Sequence, residues 1–162
     1  MIIIQGKPAY KKIALVTRKG NPIDNRQESD FSAGQTIPDY SSKYKAATMR
    51  NAPNPCYNCH GMIFASSRTK VFDESIEMIL ADDGYTKVEP GDALPGDVIL
   101  YYDEKGEIYH SGIITTKPSE GSLGYPWVVS KWGMLNEVYH LAYDVPQQYQ
   151  PVSELRYWRI TK

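Results

Sequence analysis

The feature that most limits the fold is a change of hydrophobic period near Gly84. Before it, Ile76, Ile79 and Leu80 recur at helical spacing behind Asp73, a capping residue, and Gly84 stands where a helix-ending glycine belongs. After it the chain reads as extended segments. "PGDVILYYD" leaves a Pro-Gly turn, "EIYHSGIITT" follows across Glu104-Lys105-Gly106, and "PWVVSKW" is a third. "NEVYHLAY" and the terminal "SELRYWRIT" supply a fourth and a fifth. An earlier helix is expected from Asn58, a good N-cap, with Cys59, Met62, Ile63 and Ser66 along one face. Helix, helix, then an antiparallel meander of about five strands is an α+β order.

The segment before Asn58 is less regular. "MIII" and "KKIALVT" are strand-like, the second ending in the turn cluster Arg18-Lys19-Gly20-Asn21-Pro22. Residues 20–55 are rich in Asn, Asp, Ser, Gly and Pro and read as loop with at most one short element. A chain of 162 residues is read as one domain, 1–162, with an unassigned segment 1–55 wrapped on a core of residues 56–162. The net charge of -1 gives no reason to expect nucleic acid or an anionic membrane as a partner. Within it, residues 1–50 hold nine Lys/Arg against four Asp/Glu, and the remainder nine against fifteen, so the basic segment is expected to pack on the acidic one. The start "MIIIQGKPAYKK" lacks the basic and apolar regions of a signal peptide, and no run approaches a membrane span. Cytoplasmic synthesis is expected, with release by lysis or a dedicated route if the protein acts outside, and the protein is read as a monomer.

The chemistry-bearing stretch is "NPCYNCHGM", residues 54–62. Taken literally, Cys56-x-x-Cys59-His60 is a covalent haem attachment signature, but the strands that follow do not suit a small helical haem domain. A zinc site would recruit Cys56, Cys59 and two of His60, His110 and His140, yet the second half lacks closely paired ligands. A redox pair wants a preceding buried strand, where this chain has Asn51-Ala52-Pro53-Asn54-Pro55. A thiol hydrolase fits better. A cysteine at the first turn of a helix gains from the positive end of the peptide dipoles, which favours thiolate, and lies beside free N–H groups that can hold an oxyanion. His110 in "YHSGII" is the candidate base, with little bulk beside it at Ser111-Gly112.

"NCHGMIFAS", then "PGDVILYYDEKGEIYHSGIITT", then "WVVSKWG" resembles the NlpC/P60 and CHAP cysteine hydrolases of the papain-like superfamily over about residues 56–140. The resemblance implies Cys59 as nucleophile, His110 as base and Ser130 as the third polar residue. Asn136 and His140 are alternatives to Ser130, since the family usually offers a stronger acceptor there. Asn58 and His60 stand where many cell-wall peptidases of the family have Asp and Ser. Together with Trp132 and Lys131 they are the candidate substrate contacts. The implied function is cysteine-dependent amide hydrolysis of a peptide or peptidoglycan, with no metal or cofactor required. The alternatives are a papain-like binding module with a weakened site and a c-type haem protein. Cys56 is read as a half-buried loop cysteine, and Asp97 as a carboxylate bonded to its own turn.

Overall fold

In the computed structural model residues 10–31 and 34–161 are described, so the "MIII" expectation lies outside them. The strands are β1 (Tyr10–Lys11), β2 (Asn25–Glu28), β3 (Thr48–Met49), β4 (Lys70–Val71), β5 (Tyr85–Val88), β6 (Val98–Tyr102), β7 (Ile108–Ile114), β8 (Trp127–Lys131), β9 (Glu137–Leu141) and β10 (Glu154–Ile160). Two helices, α1 (Cys59–Phe64) and α2 (Ile76–Asp83), lie between β3 and β5. Among the described residues the strands form an antiparallel sheet in the order β3-β9-β8-β7-β6-β10-β5 and a small one in the order β1-β2-β4. The α+β class holds.

Strand β6 explains the apolar run "VILYY". All five of its residues are buried, because both faces of the sheet are covered there. Val98, Leu100 and Tyr102 join Ile76, Ile79 and Leu80 of α2 in one core, while Ile99 and Tyr101 join Ala142, Val145 and Tyr157 in another. Each fully buried Ile or Leu contributes roughly 1.5–3 kcal/mol, so this strand is the anchor of the fold. Helix α2 ends as expected at Gly84, whose φ of +79° is left-handed and favours glycine.

The five expected strands are present, but the sheet has seven, and the meander stops at four. Strand β10 returns beside β6 rather than following β9, and β3 and β5 form the edges. "KKIALVT" is not a strand beyond Lys11. The Asn25 side chain bonds Ile13 through both its amide and its carbonyl, and so takes up backbone groups that a neighbouring strand would have satisfied. Asp73 does not cap α2. It opens a 3₁₀ turn, Asp73–Ser75, ahead of the helix. In α1 the buried residues are Cys59, His60 and Gly61, and Ser66 lies past the helix end. The basic N-terminal segment does meet acidic residues, with Lys19 3.2 Å from Asp82 and the Arg18 N–H donating to Asp83.

Candidate functional site

The site begins where two strands part. The β7–β8 ladder runs from Ile114↔Val128 to Gly112↔Ser130 and ends there, so Ser111 and His110 lie beyond the last pair. Helix α1 abuts both strands at this opening. Its start is fixed by Asn58, whose carbonyl oxygen accepts from the Gly61 and Val71 N–H groups at 2.8 and 3.1 Å while its amide donates to Val71. Asn58 therefore acts as a cap and a strap to β4, and the structure gives it no free polar atom for a substrate.

Cys59 is the first residue of that helix and is 5% exposed. Burial pushes its thiol up to about 11, and the N–H and hydroxyl of Ser111 only partly oppose this. The expectation of a thiolate favoured by the helix start is therefore overturned, because desolvation exceeds the gain from nearby donors. Burial therefore favours the protonated thiol.

His60 is fully buried. Its Nδ1 is 2.8 Å from Ser111 Oγ, and its Nε2 is 3.0 Å from Asp73 Oδ1, close enough for an ion pair but off the line of a hydrogen bond. Asp73 keeps 54% of its side chain exposed. Cys59, His60 and Asp73 thus form a cysteine–histidine–carboxylate cluster of the kind found in cysteine hydrolases in general. His60 Nδ1 is taken by Ser111, while its Nε2 faces Asp73 without a hydrogen-bond partner. Among the described residues no three His, Cys, Asp or Glu side chains gather as a metal site, and the zinc reading has no ligand set.

A second histidine group lies on the other face of the sheet. Cross-strand partners share a face, so Tyr101, His110, Gly112, Ser130, Val138 and His140 point one way while Ser111 and Lys131 point the other. On the first face His110 Nε2 is 3.1 Å from Ser130 Oγ, which is 2.6 Å from His140 Nε2, and His140 Nδ1 is 2.8 Å from the Leu141 carbonyl. A carbonyl only accepts, so His140 carries its proton on Nδ1 and its Nε2 must accept. The Ser130 hydroxyl then donates to His140 and accepts from His110 Nε2–H. The proton order leaves His110 Nδ1 as a bare lone pair. That atom is buried and has no hydrogen-bond partner.

Burial holds His110 well below the usual histidine range, with the charges of His140 and His60 adding to the effect, and burial pushes His140 down to about 4. Tyr149 stacks on the His110 ring at 4.2 Å, and Tyr101 meets it edge-on at 4.8 Å. Burial raises both tyrosines, and the charge of Cys59 adds to the effect.

These shifts have a sign. A histidine whose folded value is depressed adds stability that is complete above about 6.5 and is lost as pH falls through the folded value. For His140 the window runs from 6.5 to about 4, or roughly 3 kcal/mol at 1.36 kcal/mol per unit. Urea midpoints should fall steeply between pH 6.5 and 4, and His140→Gln should flatten that slope.

The remaining candidates are placed as follows. Lys131 is buried on the far face, its ammonium donating to the carbonyls of Asn54, Gly133 and Leu135 and lying over the Tyr57 ring. It ties the segment before α1 to the β8–β9 turn, which replaces its expected role as a substrate contact. Trp132 is 1% exposed and packs among Tyr40, Tyr44 and His140, so it is core and not a cleft wall. Asn136 donates to the Asn51 carbonyl, away from His110. Cys56 is half-buried and unpaired in any disulfide, with its thiol toward the Arg68 carbonyl. Asp97 accepts from Leu94 N–H in its own turn and also pairs with Arg159.

Sequence reading missed Asp73 as a neighbour of His60, the backing of Ser130 by His140, and Tyr149. The second could have been found, since His140 lies two residues past Val138, the partner of Ser130, and so shares its face. Comparison with known proteins returns no matching family model, no matching curated protein and no matching solved structure.

Proposed function

We propose that this protein is a cysteine-dependent amide hydrolase of papain-like kind, related in design to the NlpC/P60 and CHAP enzymes and acting on a peptide or peptidoglycan. The observation that carries this reading is the proton order Leu141–His140–Ser130–His110, which leaves one buried imidazole nitrogen without a hydrogen-bond partner.

In the reaction His110 Nδ1 takes the Cys59 proton as sulfur attacks the carbonyl carbon. The oxyanion is held at the helix start by the Cys59 N–H. The C–N bond then breaks, and His110 returns its proton to the leaving amine, giving a thioester. Water attacks the thioester with its proton passing to His110, the C–S bond breaks, and the acid leaves as the thiol re-forms. Ser130 accepts from the imidazolium that forms, and the orientation of its own hydroxyl toward His140 keeps its lone pairs available. Ser130→Ala removes a hydrogen bond to a charged group, worth about 1.5–3 kcal/mol, so kcat should fall about tenfold to a hundredfold.

The buried, neutral thiol favours a second reading, a binding module on the same fold. A panel of peptides and peptidoglycan stem-peptide fragments separates the two. Release of new amino termini by the wild type, abolished in Cys59→Ala, supports the hydrolase. Retention of cleavage by Cys59→Ala defeats it.

A further inference from the structure

Both reacting groups are closed off, Cys59 at 5% exposure and His110 at 0%. A substrate can reach them only if something moves. One side of His110 is covered by the flat face of Tyr149, stacked at 4.2 Å and 22°. The same Tyr149 lines a groove of about 300 Å³ together with Tyr109, Gln148, Gln150, Pro151 and the Asp103–Lys105 turn. The Tyr149 ring therefore touches both the groove and the imidazole.

The ring sits on a turn outside the sheet. Tyr149 ends a 3₁₀ turn, Gln147–Tyr149, within the long connection from β9 to β10. That turn is fastened by polar bonds near the surface: Tyr40 Oη donates to Gln148 Oε1 at 2.9 Å, and Tyr109 Oη donates to the Tyr149 carbonyl at 2.9 Å. Tyr109 is itself the extra residue of a β-bulge, between the pairs Tyr101↔His110 and Tyr102↔Ile108. Bulges re-aim side chains, and this one turns the Tyr109 hydroxyl onto the segment that carries the plug. Hydrogen bonds of this kind contribute about 1 kcal/mol each, and the ring itself packs on the core beside them.

We propose that Tyr149 is a gate: its ring swings off His110 into the adjoining groove side, and the acyl portion of the peptide substrate enters along that groove to reach Cys59. This inference rests on the hydrolase reading for the identity of what enters, but its physical content, access to Cys59 controlled by Tyr149, is separate. Closure keeps the thiol from adventitious alkylation between turnovers.

The test is alkylation by iodoacetamide, followed residue by residue by peptide mass spectrometry, with Cys56 as an internal reference in the same molecule. Tyr149→Ala should raise the Cys59 rate tenfold or more and leave Cys56 within about twofold. The pair Tyr40→Phe with Gln148→Ala, which loosens the turn without removing the ring, should raise it severalfold. An unchanged Cys59 rate in folded Tyr149→Ala overturns the gate. If that variant does not fold, an unchanged rate in the Tyr40/Gln148 pair overturns it. Adding His110→Ala to Tyr149→Ala separates the two claims. Faster labelling that collapses without His110 supports both gate and hydrolase, whereas faster labelling indifferent to His110 supports the gate and defeats the hydrolase.

Discussion

His110→Ala should lower kcat/KM by about 10³ to 10⁴ on any peptide or peptidoglycan fragment that the wild type cleaves. The size follows from the thiol. With Cys59 pushed up to about 11, only about one sulfur in ten thousand is thiolate at pH 7, so a reaction deprived of its base must run on that fraction. In the proposed mechanism the wild type avoids the penalty, because His110 Nδ1 is the unprotonated nitrogen and its neighbours fix that state. Cys59→Ala should reduce the rate to background, since nucleophile and base act as one unit. His60→Ala provides the contrast. Its ring is held between Ser111 and Asp73, so its loss should disturb the position of Ser111 and cost less than the loss of His110. A His60→Ala rate as low as that of His110→Ala would transfer the role of base to the Cys59–His60–Asp73 cluster.

Gly61→Ala should destabilise the fold by about 3 kcal/mol or more. A Cβ at Gly61 would meet the Thr69 carbonyl oxygen at 1.8 Å and its carbon at 2.9 Å. Both are backbone atoms, and Thr69 is pinned by its hydroxyl to Asn25, so neither side can yield cheaply. The glycine lets the first turn of α1 lie against the strand entry, which is what sets Cys59 at the gap between β7 and β8. For a chain of this size the loss corresponds to about 6–12 °C in melting temperature. Gly91→Ala is the control, because nothing lies within 4 Å of the added methyl. Calorimetry on the two variants should show a large drop for the first and little change for the second. Equal melting temperatures would mean that α1 is not locked against Thr69.

Much of this was legible in the chain, and the rest had physical reasons for being hidden. Extended runs bounded by turn residues exposed β6, β7, β8 and β9, and the turn at Glu104-Lys105-Gly106 exposed the pairing of β6 with β7. The neighbour of β10 was not legible, because an amphipathic strand fits either side of a sheet and only tertiary packing chose β6. Edge strands β3 and β5 escaped because they are short and carry little apolar pattern. At the site, local signals placed Cys59 at a helix start, and the family resemblance singled out Ser130. Burial set the thiol's ionisation, and burial depends on segments far along the chain. Tyr149 was silent for the same reason: nothing near it in sequence says that it will lie on His110.

The central claim is that Cys59 and His110 share a proton. The direct test is the pH dependence of Cys59 alkylation, wild type beside His110→Ala. General-base attack needs the un-ionised thiol together with the un-ionised imidazole, so the wild-type rate should be flat wherever both are neutral, between the depressed His110 and the raised Cys59. In His110→Ala the rate should instead climb about tenfold per pH unit as free thiolate appears. A wild-type profile that climbs with the same slope as the variant would mean that the two residues do not act together, and the account would fail.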